Sequence, residues 1–117
     1  MRAPLQREMK LGEELAIAGG ATAAAHADSQ SAGWMARATG LAEQFVLEDD
    51  DNTATFQAIH IRAYAEGHGL PSPPDARAWG HIMRRLKKKG VIESVGTGKS
   101  SDPKQHNGFI TEWRAAA

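Results

Sequence analysis

Arg77, His81, Arg84 and Lys88 follow one another at spacings of four, three and four, and Arg85 and Lys87 flank them. On a helix these spacings fall on one face, so the segment DARAWGHIMRRLKKK carries a basic stripe. Arginine offers a planar set of donors that fits guanine O6 and N7 or a phosphate, and His81 between the two arginines can donate or accept. Lys87 and Lys88 are point charges on flexible stems, suited to phosphate oxygens. A second group follows in the turn-rich stretch GTGKSSDPKQHNG, where Lys99, Ser100, Ser101, Lys104 and His106 add cations and neutral donors among glycines. The chemistry these residues can do together is binding to a nucleic-acid backbone and to base edges.

Other chemistries are weaker. Gly98-Lys99-Ser100 ends like a phosphate-binding loop, but that motif requires glycine where Glu93 stands and a helix where Ser101-Asp102-Pro103 follows. Five histidines (His26, His60, His68, His81 and His106) form only one loose pair, His60/His68, and without a cysteine there is no thiolate metal site or disulfide. A nuclease would gather carboxylates near the basic face to hold a metal, whereas Asp75, Glu93 and Asp102 are dispersed. The acidic run Glu48 to Asp51 lacks the alternating ligands, central glycine and terminal glutamate of a calcium loop, and reads as a solvated turn. The expectation is a protein that is not an enzyme and uses no cofactor or metal.

The elements that must position the basic residues can be read from apolar spacing. Trp79, Ile82, Met83 and Leu86 lie opposite the basic stripe and must face a core, and Gly90 stands where a left-handed residue ends a helix. Upstream, Trp34, Ala38, Leu41 and Phe45 predict a helix from Asp28 to about Glu48, with Asp28 or Ser29 as its cap. A further helix starting near Thr53 or Thr55 ends at Gly67 to Gly69. It carries Ile61, Tyr64 and Ala65 on one face and Phe56, Ile59 and Ala63 on another, surplus apolar surface that a homodimer would use. GLPSPPD breaks the chain before the basic helix, and Asp75 is placed to cap it. After Gly90, VIESV and FITEW read as two strands of a hairpin whose tip spans Gly96 to Gly108, with Phe109 and Trp113 on the face that closes over the basic helix. Residues 1–27 read as an N-terminal arm, helical or partly disordered, because Gly19-Gly20 interrupts a weak apolar stripe.

The 117 residues suffice for one domain, placed at 28–117 beyond the arm. The net charge of zero conceals an asymmetry: residues 1–54 hold four basic and nine acidic side chains, and residues 55–117 hold ten basic and five acidic. Eight of those ten basic residues fall between Arg77 and Lys104, so a neutral total is compatible with a basic face. No apolar run approaches membrane-spanning length, and MRAPLQREMK lacks the apolar segment of a secretory signal, which predicts a cytoplasmic protein that does not engage membranes.

Three helices followed by a β-hairpin, the third helix basic on its outer face, is the order of a winged helix-turn-helix, an α+β, mainly α fold. In that geometry the basic helix enters the major groove of double-stranded DNA and the hairpin tip, the wing, reaches the adjacent backbone or minor groove. The stretch GHGLPSPPDARAWGHIMRRLKKKGVIESVG, with DPKQH and a final aromatic strand ending at Trp113, resembles a family of small bacteriophage and prophage proteins of early or replication regions. The resemblance implies a winged-helix fold and a phage or prophage origin, hence a bacterial host cell, and assigns no activity. Together these readings predict a DNA-binding protein of phage transcription or replication control. The alternative is a module that engages a host or phage transcription or replication protein, with the acidic first half turned to a basic partner.

Overall fold

The computed structural model describes residues 3–48, 54–101 and 109–116, with side chains described for 17–48, 54–101 and 110–116. The described chain is mainly helical: α1 (Ala3–Gln30), α2 (Trp34–Glu48), α3 (Ala58–Gly67), α4 (Arg77–Lys88), β1 (Ile92–Lys99) and β2 (Phe109–Ala115). The described residues form four helices rather than three, because the N-terminal segment is helical through Gln30 and runs across Gly19-Gly20 without a break. Glycine there weakens intrinsic helicity by about 1 kcal/mol per residue. The compensation is tertiary: Ala23, Ala24 and Ala27 of α1 are buried in the same core as Trp34 and Ile82.

Helix α2 starts at Trp34 rather than Asp28, after a turn at Ser31–Gly33. Asp28 still caps it, from within α1: its Oδ1 accepts the Met35 N–H at 3.1 Å. The apolar stripe expected for α2 is packed, with Trp34 and Ala38 buried and Leu41 and Phe45 half-buried against the core. Helix α3 begins at Ala58, later than Thr55, because the residues before it are extended. Phe56 pairs with Trp113 of β2 through two backbone hydrogen bonds of 2.9 and 2.8 Å, adding a one-residue third strand to the hairpin. Phe45 meets Phe56 and Tyr64 edge-on at centroid distances of 5.3 and 5.5 Å, so aromatic surface from both faces of that segment is covered within the chain.

Helix α4 follows the periodicity closely. Trp79, Ile82, Met83 and Leu86 are all buried, and Trp79 packs edge-on against Trp34 at 5.4 Å, a geometry that adds about 0.5–1.5 kcal/mol beyond burial. Gly90 ends the helix at φ +79, a left-handed conformation that a Cβ would oppose. Asp75 accepts the Arg77 N–H on Oδ1 at 2.9 Å and so tethers the start of the helix.

Strands β1 and β2 pair antiparallel from Ile92↔Ala115 to Lys99↔Phe109, with a bulge between Ser94 and Gly96. The strand therefore extends through Gly96–Lys99, a stretch expected to be loop. Helices on one side and a hairpin following α4 make a layout compatible with a winged helix, to which α1 is an addition.

Candidate nucleic-acid interface

The position of α1 changes how the basic helix is presented. Helix α1 runs antiparallel along α4: Ile17 shares a groove with Arg84 and Lys87, and His26 shares a hollow with Asp75 and Arg77. At Gly20 the two backbones approach so closely that a Cβ would lie 3.3 Å from the Arg77 carbonyl, 3.5 Å from the His81 nitrogen and 3.1 Å from Arg84 Nη1. The face carrying Arg77, His81 and Arg84 was expected to be bare, and α1 lies against it. The hydrophobic pattern of α4 alone could not show this, because what covers that face is backbone and small side chains.

The four residues of the basic stripe consequently differ. His81 is half-buried, and its imidazole is held below the usual range, first by burial and then by the positive charges of Arg85 and Arg84. Arg77 remains exposed but is engaged by Asp75, whose Oδ2 accepts from Nε at 2.9 Å and from Nη2 at 2.6 Å. The same contact holds the Asp75 carboxyl below the ordinary carboxylate range. Arg84 is half-buried and lines the groove, and Lys88 is exposed at the end of the helix.

That groove, of about 570 Å³, lies between α4 and β2. Gly80 and Met83 are on its α4 side, Thr111 and Trp113 on its β2 side, and Ile17 closes it from α1. Arg77, Arg84 and Lys87 bring positive charge to it, that of Arg77 paired with Asp75. Arg85 points elsewhere, its Nη1 standing 3.9 Å from the Met35 sulfur of α2.

A comparison among the cations separates two sets. Arg62, Arg77, Lys89 and Arg114 each form an ion pair, with Glu66, Asp75, Glu43 and Glu93 respectively. Arg37, Arg84, Arg85, Lys87, Lys88 and Lys99 have no carboxylate partner among the described residues, and four of these six are on α4. The run Lys87–Lys89 is thus split by the tertiary structure: Lys89 is paired with Glu43 of α2, and Lys87 and Lys88 have no carboxylate partner among the described residues.

On the hairpin, Lys99 and Ser101 are exposed and Ser100 is half-buried. Lys104 and His106 lie outside the described residues, as do Asp49 to Asp51 of the acidic run. The end of β1 is bonded by a residue that carries no motif in the sequence. Gln57, 2 % exposed, donates from Nε2 to the Lys99 carbonyl at 2.7 Å and to Glu112 Oε1 at 2.9 Å, and its Oε1 accepts the Ser101 N–H at 2.8 Å. A single polar residue between Phe56 and Ala58 carries no local signal of such a role.

Among the described residues there is no group of three or more side chains that could hold a metal ion, and no helix is long and apolar enough to cross a membrane. Comparison with protein-family models, with curated proteins and with solved structures finds no match for this chain.

Proposed function

We propose that this chain is a winged-helix, non-enzymatic protein that binds double-stranded DNA in the bacterial cytoplasm, in phage or prophage control of transcription or replication. The observation that carries the reading is the unpaired set Arg84, Arg85, Lys87 and Lys88 on the C-terminal half of α4, on a molecule whose other cations on α3, α4 and β2 are neutralised by carboxylates. Unpaired cations concentrated on one element favour an external polyanion. Lys99 on β1 extends the set toward the wing.

Because α1 lies against the Arg77, His81 and Arg84 face of α4, this mode differs from simple insertion of the whole helix. Phosphates contact Lys87, Lys88 and the wing, and Arg84, reaching into the groove, is the residue placed to read a base edge. Arg77 and His81 position α4 and do not read DNA.

The test is fluorescence anisotropy of a mixed duplex pool at low and near-physiological salt. The wild-type protein binds with a steep salt dependence, Arg84→Glu/Lys88→Glu abolishes binding, and Arg62→Glu, which removes a cation already paired with Glu66, leaves it nearly unchanged. Equal losses in both variants would overturn the assignment.

A second reading, a module that binds an acidic amphipathic segment of a transcription or replication protein, is favoured by the apolar lining of the groove. Ile17 is 42 % exposed at its edge, and Trp113 is half-buried beside it. Absence of DNA binding at low salt, with an acidic peptide quenching Trp113, would select this reading instead.

A further inference from the structure

Thr39 and Gln57 are the buried polar side chains of the described core, and they are used differently. The Thr39 hydroxyl donates to the carbonyl of Met35 one turn back, a local bond at 2.7 Å. Gln57 reaches instead to residues 42, 44 and 55 positions away in sequence. The orientation of its amide is fixed by its partners: the Lys99 carbonyl can only accept, so Nε2 faces it, and the Ser101 N–H can only donate, so Oε1 faces that. Both amide hydrogens and one oxygen lone pair are used, the second hydrogen on Glu112.

Among the described residues the ladder between β1 and β2 runs as far as Lys99↔Phe109. There the Gln57 amide takes the place of a neighbouring strand's peptide group, giving and receiving one hydrogen bond on either side of Ser100. Gln57 is itself anchored at the start of α3, where its own N–H donates to His60 Nδ1 at 3.0 Å, and the next residue, Ala58, lines the α4–β2 groove.

We infer that Gln57 is the positioning residue of the wing, binding the end of β1 to the start of α3 so that Lys99 and Ser101 are presented beside the groove; the part played in DNA contact rests on the function proposed above. Gln57 itself touches no nucleic acid. No apolar residue of similar length can replace it, because the Lys99 carbonyl and the Ser101 N–H would both lose their partner. Glutamate fails too, since it would set a carboxylate against the Lys99 carbonyl and against Glu112.

The test joins amide hydrogen exchange with DNA binding, both on the full chain. In the wild type the Ser101 amide, on an exposed residue outside any strand, exchanges at least about tenfold more slowly than in an unstructured peptide. In Gln57→Met that protection is lost at Ser101 and kept at Trp113, whose N–H is held by the Phe56 carbonyl. In DNA titrations Gln57→Met flattens the plot of log K against log salt by about one phosphate, a slope change of about 0.9. Lys99→Ala flattens it equally, and the double variant shows no further change. A wild-type Ser101 amide that exchanges at the unstructured rate, which needs no variant to fold, overturns the inference, as do losses in Gln57→Met and Lys99→Ala that add in full. Normal Ser101 protection, lost in Gln57→Met, in a protein that binds no DNA at low salt supports the wing anchor and overturns the nucleic-acid reading.

Discussion

Two glycine-to-alanine substitutions distinguish a docked α1 from a helix that merely lies nearby. Gly40 is an exposed position inside α2 with nothing within 4 Å of where a Cβ would stand. Gly40→Ala therefore gains the full helix-propensity difference, a stabilisation of about 1 kcal/mol. Gly20 is also inside a helix and gains the same propensity term. Its new Cβ, however, would stand 3.1 Å from Arg84 Nη1 and 3.3 Å from the Arg77 carbonyl. The guanidinium can swing aside, but the carbonyl is part of the α4 backbone, and relieving that contact requires the two helices to separate. Overpacking of this kind costs about 1–3 kcal/mol, so the propensity gain is cancelled or reversed and Gly20→Ala is neutral to about 2 kcal/mol destabilising. The assay is urea unfolding of the wild type and both variants at one pH, compared by midpoint at a common slope. A Gly20→Ala protein stabilised as much as Gly40→Ala would refute the close packing of α1 on α4. It would also restore Arg77 and His81 as candidates for contact with DNA.

The remaining predictions concern His81 and Trp34. The folded state holds His81 below its ordinary pKa, so between that lowered value and the ordinary 6.5 the unfolded chain binds more protons and stability falls as pH drops. Urea unfolding at pH 7.5 and pH 5 should therefore show a loss that His81→Gln reduces; an equal loss in both proteins would remove burial of His81 as its cause. Trp34 Nε1 donates to the Pro71 carbonyl at 2.9 Å, and Trp34→Phe removes that bond, leaves the carbonyl without it and opens space beside Trp79. A loss of about 2–4 kcal/mol is expected by chemical unfolding, and a change under 1 kcal/mol would show that the proline-rich segment is not held by this residue.

In the candidate site, helical spacing is legible in the sequence and the pairing of each cation is not. Arg84, Lys87 and Lys88 could be placed together from spacing, because helical periodicity acts over a few residues and needs no knowledge of the rest of the chain. Whether a cation is neutralised depends on what folds against it, and Lys89 and Lys88, adjacent in sequence, have opposite outcomes because only Lys89 reaches Glu43. Arg85 faces Met35 of α2 for the same reason.

The amino-acid sequence by itself determined α4 with its buried Trp79–Leu86 stripe, its stop at Gly90, the two strands of the hairpin and the concentration of basic residues from Arg77 onward. Each rests on local periodicity, chain stiffness or composition. Only the tertiary structure decided that residues through Gln30 form one helix, that Asp28 caps the next helix from outside it, that Phe56 joins the sheet and that Gln57 bonds to Lys99 and Ser101 at the end of β1. Glycine and alanine carry little signal of their own, and α1 is stabilised at Gly20, Ala23 and Ala24 by close contact with surfaces distant in sequence. A one-residue strand and a single buried amide likewise acquire their partners only when residues more than forty positions apart are brought together.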